Sequence, residues 1–430
     1  MKRWLLALLV GCVPAAGGPS RNIPSPPAVA ARPARDGRPA SPSELALVKR
    51  LMAETERLRG LTFRQPVDVS IEGKAAMRAY VERTIDRDLL DRARRRYVSL
   101  GAISPDLDVR ALLVEVMEDE LVGYYDPKEK RLAVRADIAR ALEQDGPRSL
   151  AWRATVVHEL VHALQDQYFD LASKIDQVRS TDADDAFGAL VEGDATLVML
   201  GYTAELSGES MRSVVEQPDR ILAALTRPPE QLTPALRAAP ALLREPLLFR
   251  YREGAHFCGR LVRAKGWARV DDAQRSPPLS TRAIRNPDEF LRGARDYALA
   301  LPPFPDARWT TRDEDVLGGL ELGVFLGLDT VAAARVLEDW RGDRYQVLER
   351  DGALASFWSI ELASKSSARL VASGLARLHD PARRIALDER RIWVSRGLDA
   401  DTFSAAIDHV RRALTRRPTG DPLATFTSEH

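Results

Sequence analysis

His158-Glu159-Leu160-Val161-His162 restricts what this chain can be more than any other stretch. It lies in the apolar run Val156 to Leu164, a helical pattern in which Leu150, Val157, Leu160, Val161, Leu164 and Tyr168 recur at one face. Residues four apart on a helix share a face, so the two imidazoles project side by side at metal-chelating distance. Glu159 falls about a quarter-turn away, where its carboxylate can reach a water on that metal. Further on, Glu192-Gly193-Asp194-Ala195 offers a carboxylate on a second helical pattern.

With six His in the chain, the spacing is improbable by chance, on the order of one in a hundred. The alternative is a pair of hydrogen-bonded structural histidines, but burying two imidazoles without partners is costly. Two imidazoles and one carboxylate suit zinc, which takes them tetrahedrally and leaves the fourth position to water. The expectation is therefore one Zn2+ per chain, held by His158, His162 and a third ligand for which Glu192, Asp185, Asp194 and His256 are the choices. Glu159 is expected to act as general base on the attacking water, in hydrolysis of a peptide bond. Asp194 and Asp166 are candidates to orient a metal-bound imidazole through its other nitrogen, or else simple surface acids. Tyr251, and after it His256, are candidates to stabilise an oxyanion, against the plainer reading of Tyr251 as core.

The 63 basic and 62 acidic residues leave a net charge of +1, which excludes the electrostatic footprint of a nucleic-acid binder. The basic run Arg92 to Arg96 follows Asp86, Asp88 and Asp91 and reads as a solvated helix face. The chain opens with Met-Lys-Arg and a short apolar stretch, Trp4 to Val10, a secretory signal too short for a permanent span. Its end, Leu9-Val10-Gly11-Cys12, resembles the lipobox of bacterial lipoproteins. That resemblance implies cleavage before Cys12, lipidation of Cys12, and an exported protein anchored to the cell envelope, periplasmic or on the outer surface. Cys258 then has no partner and is expected as a small core residue on a helix, beside Phe257 and Leu261.

Residues 13–43 are rich in Pro, Ala, Gly and Ser and read as an extended tether. A helix is expected from Ser43 to Leu58, a strand at Val67 to Ile71, one long helix from Ala75 to Tyr97 and another near Leu107 to Glu118. A hairpin follows at Val122 to Arg135, turning at Asp126-Pro127. After a polar loop at 173–180, a Thr181 cap with first-turn acids Asp182, Asp184 and Asp185 starts the second helix. Residues 44–300 are expected to form one region. Residues 301–415 are expected as a C-terminal α+β module with a hairpin over 342–360, and 416–430 as a flexible tail.

The order strand, hairpin, His-Glu helix, Glu helix resembles the catalytic half of the zincin fold. That likeness implies a helix-rich α+β chain, with a small sheet against the motif helix and an edge strand that could take a peptide by backbone pairing. Glu192-Gly193-Asp194-Ala195 resembles the run in which gluzincins place their third ligand, which implies Glu192 in that role, with the Gly after it letting its helix approach the metal helix closely. Together with Tyr251 and Gly254, the Pro277-Pro278-Leu279-Ser280-Thr281 run and Trp340-Arg341-Gly342-Asp343-Arg344, the two motifs resemble a little-characterised group of bacterial secreted or lipid-anchored predicted zinc metallopeptidases. The chain departs from that group at Arg282, where an acid is usual, and at Asn286, where His is usual. The resemblance implies a peptide or protein substrate, and a membrane partner through the lipid. A different class remains open: an envelope binding or assembly lipoprotein whose zinc is structural or vestigial. So does a non-peptide hydrolase on the same scaffold.

Overall fold

Helices dominate, and three small sheets complete an α+β architecture. The computed structural model describes residues 30–31, 37–142, 147–178, 180–227, 229–294, 297–413 and 415–418. Cys12, the signal stretch and most of the tether and tail lie outside the described residues. No helix among those described is long and apolar enough to cross a membrane.

The first sheet runs Ala30–Ala31, Asp68–Glu72, Arg131–Arg135, Gly123–Asp126, with Gly37–Pro39 antiparallel to Asp68–Glu72. Asp68–Glu72 and Arg131–Arg135 are parallel, and Gly123–Asp126 closes the hairpin as an edge strand. Ala30–Ala31 and Gly37–Pro39 fall where a tether was expected. Backbone pairing explains them, since it needs no apolar side chain, only an open edge of Asp68–Glu72. The expected helix over 75–97 is two, Lys74–Thr84 and Arg87–Leu100. Asp86 breaks it, accepting from the Asp88 and Leu89 N–H groups as a cap.

The motif helix, Pro147–Phe169, packs its apolar face on this sheet and on the first helix, Pro42–Arg59. Val157, Leu160, Val161 and Leu164 share a core with Val69, Ile71, Leu132 and Val134. The Glu192 helix, Thr181–Leu206, crosses the motif helix on its other side. Its cap is Ser180, not Thr181: Ser180 Oγ accepts from the Ala183 N–H, while the Thr181 hydroxyl donates to Asp315. The loop expected at 173–180 is largely a short helix, Leu171–Gln177, capped by Asp170.

The Tyr251 helix, Ala241–Lys265, lies tightly against the Glu192 helix. A Cβ on Gly193 would sit 2.1 Å from the Gly254 carbonyl carbon, and one on Gly254 would sit 2.0 Å from the Ala189 oxygen. So Gly193 does permit a close approach, but to the Tyr251 helix rather than to the motif helix. Cys258 is fully buried in that contact, with Phe257 and Leu261 in the same apolar cluster.

The C-terminal third builds an antiparallel sheet ordered Arg383–Asp388, Arg391–Arg396, Ala353–Leu362, Trp340–Arg350, Thr310–Asp315. It is not a separate body. Tyr97 and Leu100, from the first region, share a core with Tyr345, Trp358 and Ile360. The boundary near residue 300 marks a change of architecture within one packed molecule. Asp343, in the Trp340-to-Arg344 run, accepts from both the Trp340 and Trp358 indoles and from the Leu317 and Gly318 N–H groups. That run is structural. So is Arg282, which donates to Glu289 and to the Glu338 carbonyl, while Asn286 donates to the Arg282 carbonyl. Residues 416–418, expected as tail, pair with residues 297–299.

Candidate metal centre

Three side chains from two helices converge. The motif helix presents His158 and His162 one turn apart, with their Nε2 atoms 3.1 Å from each other. The Glu192 helix delivers its carboxylate against them, Oε2 lying 3.0 Å from His158 Nε2 and 3.6 Å from His162 Nε2. All three residues are buried, between 0% and 4% exposed.

The triangle fits a tetrahedral ion. Zinc bonds of 2.0–2.1 Å at tetrahedral angles separate neighbouring donor atoms by about 3.3 Å. The three edges found here, 3.0, 3.1 and 3.6 Å, bracket that value. Glu192 Oε1, also buried, has no hydrogen-bond partner among the described residues. A looser grouping also exists, in which His158, Glu159 and His162 offer ligand atoms within 4.8 Å of one another. The Glu192 set is tighter. Moreover Glu159 Oε2 already accepts from the Tyr125 N–H at 3.0 Å, which leaves it beside the triangle rather than in it.

His162 is oriented by Gln165. The Gln165 amide nitrogen donates to the Val191 carbonyl at 2.9 Å and to Asp194 Oδ2 at 3.1 Å. Its two protons are thereby engaged, so its carbonyl oxygen faces His162 Nδ1 at 2.8 Å and accepts from it. A proton fixed on Nδ1 leaves the Nε2 lone pair directed into the triangle. Asp194 in turn is gripped by Arg59, whose Nε donates to Oδ1 at 2.7 Å. Arg59 is fully buried, bonds Asp271 as well, and lies over the Trp267 ring. A chain of hydrogen bonds thus runs from the end of the first helix to the imidazole: Arg59, Asp194, Gln165, His162.

Burial and neighbouring charge divide the protonation states. Burial disfavours the charged form of His158 and holds its pKa below the usual value. Burial pushes the Glu159 carboxyl up to about 8, against the pull of His162. Burial also opposes charge on His162 and Glu192, but their mutual attraction overrides it. His162 is raised and Glu192 lowered, so without a cation the pair favours one proton on the imidazole and a bare carboxylate.

The other expected residues divide. Tyr251 is brought to the centre: its ring stacks near the His158 imidazole, with centroids 6.1 Å apart. Asp194 reaches His162 only through Gln165. Asp166 does not orient an imidazole at all; it accepts from the Tyr125 hydroxyl at 2.9 Å and from Lys130 Nζ at 2.6 Å. The reason is helical phase, since four residues past His162 places Asp166 toward the hairpin, while three places Gln165 toward the Glu192 helix. Asp185 pairs with Arg250 at 2.8 Å. His256 lies 3.5 Å from Asp219, away from the triangle. Sequence reasoning missed Gln165, Arg59 and the Tyr125 N–H. Only Gln165 carried a signal, its three-residue spacing from His162. Comparison with protein-family models, with curated proteins and with solved structures found no match.

Proposed function

We propose that this protein is a zinc-dependent hydrolase of peptide bonds, with the zincin arrangement of helices and sheet edge, and that Cys12 anchors it by lipid to the cell envelope. One observation carries the reading: His158, His162 and Glu192 converge at the spacing of a tetrahedral ion while Glu159, free of that set, stands beside it. A zinc ion held there would polarise a carbonyl and make a water acidic.

Each residue has a role in that reading. The Tyr125 N–H fixes one Glu159 oxygen, and the other faces the incoming water. Burial alone would keep Glu159 protonated at neutral pH; a cation bound beside it would favour the carboxylate, which could then take a proton from the water and release it to a leaving amine. That N–H belongs to the edge strand Gly123–Asp126, so the edge that could pair with a peptide is the edge that holds the base. In this reading Tyr251, whose ring stacks near His158, would meet charge developing on a carbonyl oxygen.

The test uses the purified full chain. Zinc should be present at one per chain, and Glu159→Gln should keep it while lowering turnover of a mixed peptide library at least about a hundredfold. Unchanged turnover in that variant removes Glu159 from the chemistry.

One observation favours a second reading. The centre is closed, with Glu159 at 2% exposure and His158 and Glu192 at 0%. A metal in such a place can serve structure alone, in an envelope binding or assembly protein. Loss of the fold on metal removal, with no peptide cleavage by the zinc-loaded wild type, selects that reading.

A further inference from the structure

A cavity of about 160 Å3 lies between the helix Arg87–Leu100, the start of the Glu192 helix and the start of the Tyr251 helix. Its walls are apolar, including Leu90, Ala93, Leu243 and Leu247. A cavity of this size is close to the ~150 Å3 that accommodates a benzene ring. Its floor carries ionisable groups. Arg250 is held by Asp184 and Asp185, and Arg96 by Asp315 and Thr181. Glu321 adds a further acid, and its hydrogen bond comes from the Tyr97 hydroxyl rather than from a guanidinium.

Glu321 is 2% exposed and lines this cavity. Its Oε1 accepts from the Tyr97 hydroxyl at 2.6 Å, but its Oε2 has no partner among the described residues. Arg96 Nε, also buried and also on a lining residue, is a donor without a partner among them. An unpaired buried acceptor and an unpaired buried donor each cost stability until something meets them. The pair specifies a ligand: a donor for Glu321, an acceptor for Arg96, and an apolar body for the walls. Burial keeps a proton on Glu321 up to about pH 8, and an ammonium entering beside Oε2 would displace that proton and pair with the carboxylate.

We infer that this cavity binds a small primary amine with a benzene-sized apolar body and an oxygen beside the amine, as in the amide of an apolar amino acid. The amine donates to Glu321 Oε2, and the oxygen accepts from Arg96 Nε. The site is distinct from the metal centre. Asp185 and Glu192 are seven residues apart on one helix, which is about 10 Å. Nothing in the inference depends on zinc or on hydrolysis.

Phenylalaninamide is the probe, titrated into the full chain by calorimetry. 3-Phenylpropionamide, which lacks only the amine, and 3-phenylpropionate, which lacks the amine and carries an anion in place of the amide, are the controls. Phenylalaninamide should bind at least about tenfold tighter than either, the difference a charged hydrogen bond makes. Glu321→Gln keeps an oxygen for the Tyr97 hydroxyl and should erase that preference. Ala93→Trp should fill the cavity and abolish binding while leaving metal content unchanged. Equal binding of the three compounds, or none at millimolar concentration, overturns the inference. So does undiminished binding to Ala93→Trp, which would put the ligand elsewhere, for instance on the metal. If a variant fails to fold, nuclear Overhauser contacts in the wild type decide. Contacts from the ligand ring to the Leu90 and Leu247 methyls support the site, and their absence in a saturated complex overturns it.

Discussion

Gln165 shows how much a single neutral side chain can do at a charged centre. It touches no expected ligand atom, yet it sets which nitrogen of His162 carries the proton. An Ala there frees the imidazole to rotate and to change tautomer, and strands Asp194 with one donor fewer. Gln165→Ala should therefore weaken zinc binding by about 10- to 100-fold, as loss of an orienting partner does elsewhere. Competition against a calibrated chelator measures this, and unchanged affinity would mean that the Glu192 helix alone holds His162 in place. At this scale the sequence was informative about chemistry and poor about support. His158 and His162 could be read from spacing, because they share a helical face, while Glu192 came from a motif resemblance. Arg59 could not, because its partner Asp194 is 135 positions away and only the fold joins them.

Among the elements, the crossing at Gly193 and Gly254 sets the depth of the centre. Two helices meet there with backbone against backbone, and that closeness carries Glu192 and Tyr251 in together. A methyl on Gly193 would overlap the Gly254 peptide, so Gly193→Ala must push the helices apart. The expected cost is ~3 kcal/mol of stability, at the upper end of overpacking effects. Zinc affinity should fall with it, because Glu192 is the neighbouring residue. Chemical denaturation and metal content of the same preparation test both halves. Retained stability would show that the Tyr251 helix can slide. The sequence marked Gly193 as a place of close approach, but to the motif helix rather than to the Tyr251 helix it meets, since a glycine signals room without direction. Most long helices and the two hairpins were legible from periodicity and turn residues. The short helix after the motif and the outer strands of the C-terminal sheet were not. Their side chains, as in Thr310–Asp315, are polar and half exposed, and only pairing with Trp340–Arg350 makes them strands.

At the scale of the whole molecule, buried acids tie stability to pH. Burial, with Asp185 nearby, pushes the Glu321 carboxyl up to about 8 despite the Tyr97 hydroxyl and Arg96. An unfolded chain returns it to the ordinary value near 4.5. Between those pH values the folded protein keeps a proton that the unfolded chain has lost. Stability from this group therefore falls as pH rises from 4.5 to about 8 and is level above that. Asp185, raised to about 6 by burial, adds to the same slope at its lower end. Glu321→Gln should flatten the slope. The variant gains on the order of 1 kcal/mol or more over wild type at alkaline pH and gains nothing in acid. Urea denaturation of both proteins at the two extremes gives the answer, and a constant difference across pH would place the proton elsewhere. Long-range ties such as Tyr97 to Glu321 and Leu100 to Arg383 join residues on either side of position 300. Composition shifts mark where one architecture gives way to another, not where a core ends.

The closed centre has a consequence in time. His158 and Glu192 have no exposed surface through which a competing ligand could approach. An ion seated there can leave only when the helices carrying Glu192 and Tyr251 part from the motif helix, an opening that draws on the stability of the fold itself. Exchange should be slow and its rate independent of chelator concentration. A colorimetric chelator added to the native protein should extract zinc over hours, and mild urea should shorten that half-life steeply. Fast, chelator-dependent release would mean that the centre breathes without unfolding. On the slow course, the metal is acquired as the chain folds, and the finished protein keeps what it was given.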